Sequence, residues 1–221
     1  MNITFKDLIK LWGKPVSQKE IDVDLPVGRI STDSRTIETG DFFVPLVGNT
    51  FDGHDYLDMA FDIGIQAAIV SHHFNGLVPT DLPHWLVSDT LYAYQQIALL
   101  HRRNLNLPVV AVTGSVGKTT TRELIRAILS PLGEIVSSRG NENNDVGVPK
   151  TLLRGSEKDA AFVLEMGMRG FGQIERLSRV AEPDIAVITN VGQAHIGILG
   201  SRENIAKAKS EITSYLRCDG V

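Results

Sequence analysis

Cysteine is nearly missing from this chain: Cys218 is the only one in 221 residues. A lone cysteine cannot close an internal disulfide, which excludes a disulfide-stapled scaffold and fits a reducing compartment. No motif surrounds Cys218, so it reads as a bystander rather than a nucleophile. Long apolar runs are missing too. No stretch reaches the roughly 18 residues that a membrane span requires, and the opening MNITFKDLIKLWG is amphipathic and charged too early for a signal peptide. Excess positive charge is also absent: 22 Lys and Arg against 26 Asp and Glu give a formal net charge of -4, so no basic field invites nucleic acid or an anionic membrane. Repeats and low-complexity tracts are lacking. What remains, 43% hydrophobic and 22% charged, is the composition of an ordinary globular protein, and a cytoplasmic location is expected. The length allows one large domain or two small ones.

The first third alternates short apolar runs with turn clusters. GRISTDSRTIETGDFFVPLVGNTFDGHDYL reads as strand, polar turn, strand and glycine-rich loop. Ala60 to Gly64 ends a helix, Ile65 to Val70 is a β-type run, and Trp85 to Val87 follows as another short strand. Ser88 or Asp89 is a helix cap, with Leu91, Tyr94, Ile97 and Ala98 on one helical face. The domain boundary is placed near Asp89, giving domains of 1–88 and 89–221. His72-His73, with no carboxylate or cysteine at ligand spacing, reads as an exposed loop pair.

From Pro108 the pattern becomes strand, loop, helix, and repeats. Val109 to Val112, Ala160 to Leu164 and Ile185 to Thr189 are continuous apolar runs, as buried parallel strands require. Between and after them come predicted helices over Thr119 to Leu132, with Leu124, Ile125, Ile128 and Leu129 as the apolar face, then Gln173 to Val180 and Glu203 to Leu216. This alternation predicts an α/β fold: a doubly wound, mostly parallel sheet with ligands at the carboxyl ends of its strands. The last residues, Arg217 to Val221, read as the start of a further strand, so the second domain is expected to be incomplete.

The segment Thr113-Gly114-Ser115-Val116-Gly117-Lys118-Thr119-Thr120 joins the first of these strands to its helix. Glycines let backbone N–H groups turn toward phosphate oxygens, the helix N-terminus favours anions, Lys118 reaches the outer phosphates, and Thr119 can hold Mg²⁺. Val112 stands where the common phosphate-loop form has its first glycine, so the string alone is a weak match; the strand before and helix after supply the required context. ATP and Mg²⁺ are the expected cofactors.

Three other polar groups lie near strand ends. Glu165 closes AAFVLE, where a carboxylate serves either as a metal ligand or as an ordinary capping or surface residue. His195 follows the strand IAVITN, and a loop histidine is either a structural hydrogen-bonder or a ligand. Asn141, Asn143 and Asn144 crowd the loop GNENNDVGVP, which either simply turns or presents amides to a polar ligand. Lys207 and Lys209 are not separable from solvated lysines on sequence alone. On a helix, however, two positions apart means about 200°. Lys209 then shares a face with Ile205 and Ala206, while Lys207 falls with Glu203 and Glu211, its expected ion-pair partners.

Taken in order, TGSVGKTTTRELI, GNENNDVGVPKTLL, LEMGMRGFGQIERLS, PDIAVITNVGQAHIGILGS and ENIAKAKSEI resemble the Mur ligases, and STDSRTIETGDFFVPLVGNTFDGHDYLDMAFDIGIQAAIV is similar to that family's UDP-binding domain. The resemblance runs from about Gly28 onward. Within the family it is narrowest to the ligases that join D-alanyl-D-alanine to a UDP-N-acetylmuramoyl tripeptide. The E-V-S-S-H and D-H-L-D strings expected of the ligase adding the third amino acid are here Glu165-Met166-Gly167-Met168 and Ala194-His195-Ile196-Gly197.

The resemblance implies a small α/β UDP-binding domain followed by a truncated ATPase domain. It implies ATP phosphates at Gly114, Ser115, Val116, Gly117, Lys118, Thr119 and Thr120. Metal ligation is implied at Thr119, Glu165 and His195, and catalytic roles at Lys118, Glu165, His195 and Lys209, the last carried as a carbamate. Contacts to the UDP substrate are implied at Ser31, Thr32, Asp33, Ser34 and Arg35, and at the loop residues Asn141 and Asn144. A monomer acting through an acyl phosphate is expected. Two readings remain beside it: another amino acid ligase of the superfamily, and a truncated, non-catalytic nucleotide or UDP-sugar-peptide binder.

Overall fold

The computed structural model describes residues 2–18 and 20–221. Its contacts divide into two compact units, one ending at Ile97 and the other spanning Ala98–Val221. The division falls inside a long helix, past the boundary expected near Asp89.

The first unit opens with helix α1 (Phe5–Trp12) and is built on four short strands, β1 (Ile30–Ser31), β2 (Phe42–Phe43), β3 (Ala67–Ser71) and β4 (His84–Val87), with α2 (Leu57–Ile63) between the second and third. They form one sheet in the order β1-β2-β3-β4, every pairing parallel. Trp85 anchors one side, stacked on Phe5 and tilted against Phe42, with ring centroids 5.9 Å apart in both cases. Phe43, Leu57, Ala60, Ala68, Val70 and Leu82 fill the other. Gly64 closes α2 in the left-handed conformation, as the sequence predicts.

Helix α3 (Thr90–Leu105) runs across the division, and Asp89 accepts the Tyr92 N–H at its start. The second unit then follows the predicted alternation: β5 (Val109–Thr113), α4 (Lys118–Leu129), β6 (Glu134–Ser137), α5 (Gly147–Leu153), β7 (Asp159–Glu165), α6 (Gln173–Ala181), β8 (Ile185–Ile188), α7 (Ile196–Leu199) and α8 (Arg202–Ser210). The sheet order is β6-β7-β5-β8, all parallel, so both carboxyl-terminal loops of the central pair open at the same edge. Both faces are covered. Val110, Val112 and Val163 meet Ile125 and Leu129 of α4, while Val109, Ala111, Phe162 and Leu164 meet α5, α6 and α8. Each aliphatic side chain so buried contributes about 1.5–3 kcal/mol relative to exposure.

Three differences from the sequence reading have physical causes. Strand β6 was not anticipated, because an edge strand reading EIVS, exposed to partly buried throughout, lacks the continuous apolar run of its neighbours. In α4, Leu124 and Ile128 are 59% and 74% exposed, and the inward row is Arg122, Ile125 and Leu129 instead. The predicted final helix ends at Ser210, followed by a 3₁₀ turn over Glu211–Thr213, because Glu211 turns away to accept the N–H groups of Gly172 and Glu175.

Candidate active site

The loop after β5 is shaped by its glycines. Gly114 has φ +156°, and a Cβ there would lie 1.8 Å from Thr189 Oγ1. Gly117 caps α4 at φ +84° in the left-handed region, where glycine costs nothing. The loop is clasped from the β8 side: Asn190 accepts the Val116 N–H at Oδ1 (3.1 Å) and donates from Nδ2 to the Val116 carbonyl (3.1 Å). The Asn190 carbonyl accepts the Ser115 N–H, and Thr189 donates to the Val116 carbonyl at 2.7 Å. The N–H groups of Gly117, Lys118, Thr119 and Thr120 find no acceptor among the described residues, leaving the helix N-terminus able to receive an anion. Lys118 Nζ donates back to the Gly114 carbonyl at 3.0 Å.

A cavity of about 500 Å³ opens beside this loop. Its walls bring together Gly114, Lys118, Asn144, His195 and Lys209, all anticipated, with Asn143, Asp145, Gly167, Met168, Arg169, Gln173 and Leu177. These residues come from the carboxyl ends of β5 and β7, the loops after β6 and β8, and helices α4, α6 and α8, as a doubly wound sheet dictates. Lys118, Lys209, Arg169 and His195 face a single carboxylate, Asp145, which is already paired with Arg176 at 3.1 Å. The cavity therefore suits an anionic ligand.

Lys209 is 2% exposed, whereas Lys207 lies in solvent. Burial pushes the Lys209 amine down to about 8, and the charge of Lys118 adds to the effect. The expected pairing of Lys207 with Glu203 or Glu211 does not occur among the described residues, since the Glu211 carboxylate is taken up at the start of α6.

Glu165 is 3% exposed at the end of β7. Its Oε2 accepts the Thr119 hydroxyl at 2.8 Å, and its Oε1 accepts the Asn143 amide at 2.9 Å. His195 is exposed and caps α7 with φ +68°, a conformation that histidine tolerates better than most residues. No three His, Cys, Asp or Glu side chains gather into a metal-binding group among the described residues.

Of the asparagine loop, Asn144 accepts the Val146 and Gly147 N–H groups just ahead of α5, while Asn141 is exposed and outside the cavity wall. Asn143 and Asn144 both line the cavity, and Asn143 also donates to Glu165. Sequence reasoning also passed over Asn190 and Arg122, although each sits beside a segment it had singled out.

In the first unit, Thr32, Asp33, Ser34 and Arg35 line a separate cavity of about 480 Å³ with Phe43, Phe51, Gly53 and Tyr56. Asp33 caps the 3₁₀ turn over Ser34–Thr36 and grips the Arg35 guanidinium through both oxygens, at 2.8 and 2.7 Å. Ser31 lies beneath, buried, its hydroxyl donating to the Asp33 carbonyl. Exposed Phe51 and Tyr56 offer ring faces beside the cation, a combination suited to a base and a phosphate.

A parallel sheet with a glycine loop, a basic cavity at its carboxyl edge and a buried lysine defines a nucleotide-binding domain, and comparison with known proteins gives the family. The "Mur ligase middle domain" profile matches residues 112–221, and the "Mur ligase family, catalytic domain" profile matches 26–117. The chain belongs to the Mur ligase family. It is 46% identical over 200 residues to the UDP-N-acetylmuramoyl-tripeptide–D-alanyl-D-alanine ligase of Synechocystis, covering 90% of this chain and 44% of that protein. It also resembles the MurF of Acinetobacter baumannii (crystal structure II; TM-score 0.83, 36% identity, 98% of this chain and 47% of that one). The Thermotoga maritima MurF ligase solved in complex with ADP is similar as well (TM-score 0.78, 34% identity, 86% of this chain and 44% of that one). The chain thus spans less than half the length of the relatives it matches. No helix among the described residues is long and apolar enough to cross a membrane.

Proposed function

We infer that this chain supplies the UDP-substrate and nucleotide-binding parts of a MurF-type, ATP-dependent ligase. On this reading it serves peptidoglycan precursor synthesis by joining D-alanyl-D-alanine to a UDP-N-acetylmuramoyl tripeptide. The domains would be 1–88 for the UDP-bearing substrate and 89–221 for ATP, in a cytoplasmic monomer. The observation that carries the reading is the convergence of Lys118, Lys209 and His195 on one cavity, with the Thr119 hydroxyl bonded to Glu165 beside it. The names of its relatives supply the substrates.

The terminal carboxylate of the tripeptide attacks the γ-phosphate of ATP, breaking its bond to ADP, which leaves, and giving an acyl phosphate; the amine of D-alanyl-D-alanine then displaces phosphate and loses a proton to form the amide. The work of the protein is positioning and charge neutralisation. The free N–H groups of Gly117, Lys118, Thr119 and Thr120 would hold phosphate oxygens, and Lys118 would leave the Gly114 carbonyl for the transferred group.

The oxygen donors Thr119 Oγ1 and Glu165, with the exposed imidazole of His195 on the cavity wall, fit a hard divalent cation held partly through water. Mg²⁺, when bound, neutralises charge on the phosphates. An amine with pKa about 8 is neutral in roughly a quarter of molecules near pH 7.5. Lys209 can therefore add to carbon dioxide, its nitrogen bonding to carbon with loss of a proton. The resulting carbamate would convert a buried cation into an anion that balances Lys118. In the first unit, Arg35, Phe51 and Tyr56 would receive the UDP group.

The test is product formation by the full-length protein with ATP, Mg²⁺, a UDP-N-acetylmuramoyl tripeptide and D-alanyl-D-alanine. Ligated product and one phosphate per amide are expected; ligation of a single amino acid in place of the dipeptide would move the protein elsewhere in the family.

A further inference from the structure

Helix α4 presents Arg122, Ile125 and Leu129 to the sheet, and the last two pack on Val110, Val112 and Val163 as core residues should. The first position of that row is a guanidinium, only 5% exposed, where an aliphatic side chain would complete the core. A buried charge is retained at a cost and calls for a partner. Two of its three nitrogens have one. Glu123 Oε1 accepts from Arg122 Nε at 3.1 Å and from Nη2 at 2.6 Å, which fixes the fork from the solvent side. The third nitrogen, Nη1, has no hydrogen-bond partner among the described residues, and it faces Glu165, whose Oε2 lies 3.6 Å away. The same Oε2 accepts the Thr119 hydroxyl.

We propose that Arg122 is a positioning residue: oriented by Glu123, it holds the Glu165 carboxylate in the plane that Thr119 and the bound cation require. This rests on the reading of Thr119 and Glu165 as part of a Mg²⁺–nucleotide site. Glu165 is reached from three directions, by Thr119, Asn143 and Arg122. The first of these must share its hydroxyl oxygen with a cation when nucleotide binds. Arg122 then keeps Glu165 from following it, because a fixed guanidinium nitrogen attracts Oε2 whether or not the threonine bond persists. The inward place of Arg122 in α4 is thereby explained without a packing role.

The experiment is calorimetric binding of ADP to the full-length protein with and without Mg²⁺, comparing wild type with Arg122→Gln, Arg122→Lys, Glu123→Gln, Glu165→Gln and the Arg122→Gln/Glu165→Gln double variant. Residues that orient metal ligands typically change metal affinity about 10–100-fold. Arg122→Gln should reduce the Mg²⁺-dependent gain in ADP affinity by about tenfold while leaving Mg²⁺-free binding unchanged. Arg122→Lys should recover part of the gain, and Glu123→Gln should lose a smaller part. The double variant should be no weaker than Glu165→Gln, and Ile128→Gln, on the exposed side of the same helix, should match wild type. If Arg122→Gln does not fold, Glu123→Gln and its combination with Glu165→Gln decide in the same way. The proposal is overturned if Arg122→Gln keeps the full Mg²⁺ gain, if the single penalties multiply in the double variant, or if only thermal stability changes. Absence of any Mg²⁺-dependent ADP binding in wild type would instead remove the underlying reading, and this proposal with it.

Discussion

The hydroxyl of Thr119 donates to Glu165 across 2.8 Å, tying the first turn of α4 to the end of β7. The bond links the element that would carry the phosphates to the carboxylate that would balance a cation. Glu165→Ala should therefore do two kinds of damage. Activity of the full-length enzyme should fall by on the order of 100-fold or more. Stability should also drop, by about 1–3 kcal/mol, because the Thr119 hydroxyl, the Asn143 amide and Arg122 Nη1 lose the carboxylate they face, while Glu123 still pairs with the rest of the guanidinium. Glu165→Gln keeps the side chain's shape and one accepting oxygen, the other becoming an NH2 donor, and should lose activity with less loss of stability. Denaturant melts run beside phosphate-release assays separate the two effects; equal stability of the Ala and Gln variants would count against the arrangement.

Lys209 makes the pH dependence specific. Its amine, at about 8, lies below the ordinary value of 10.5, so between these limits the unfolded chain binds more protons than the folded one. Stability from this group should therefore rise as pH climbs from about 8 toward 10.5, the reverse of a stabilising ion pair. Lys209→Met should flatten that rise in denaturant melts, and Lys207→Met should not. In turnover assays Lys209→Ala should be the damaging change, with partial rescue by short carboxylic acids if the proposed carbamate forms. A silent Lys209→Ala, or a damaging Lys207→Ala, would contradict this assignment.

The two lysines show what the sequence reveals and what it hides. Helical spacing alone turned Lys209 inward and Lys207 outward, and β5, β7 and β8 were legible because VVAV, AAFVL and IAVI are unbroken apolar runs, although edge strand β8 is not buried as expected, with Ile185 and Ile188 43% and 39% exposed. Edge strand β6 lacked that run. In α4 the apolar residues Leu124 and Ile128 face outward while Arg122 faces in, so a periodicity that counts hydrophobic residues chooses the wrong stripe. Asn143 stood out only as one of three similar amides, since nothing local says which of them will meet Glu165.

The glycines of the phosphate loop should differ in their tolerance of a methyl group. Gly117→Ala meets open space at φ +84° and should cost about 1 kcal/mol of stability through backbone strain alone. Gly114→Ala would drive its Cβ to 1.8 Å from Thr189 Oγ1 and should be far more damaging to both stability and ADP binding. Thermal melts and calorimetry check the order, and equal effects would mean that the loop is less tightly clasped by the Thr189–Asn190 segment than described.

Arg35 is 85% exposed and leans on Asp33. Arg35→Ala should leave stability essentially unchanged, as for other exposed pairs. Affinity for a UDP-sugar peptide should nevertheless weaken by roughly tenfold through the loss of charged hydrogen bonds to phosphate. Unchanged affinity in calorimetry would restrict Arg35 to shaping the turn over Ser34–Thr36.

The central claim is that the loop from Gly114 to Thr120 holds ATP for phosphoryl transfer, with Lys118 on the transferred group. The most direct measurement is ATP-dependent phosphate release by the full-length enzyme carrying Lys118→Ala, paired with a thermal melt. The account predicts release reduced by on the order of 100-fold or more, with an unchanged melting temperature, since among the described residues the Lys118 amine hydrogen-bonds only to the Gly114 carbonyl. Near wild-type release from the folded variant would contradict it.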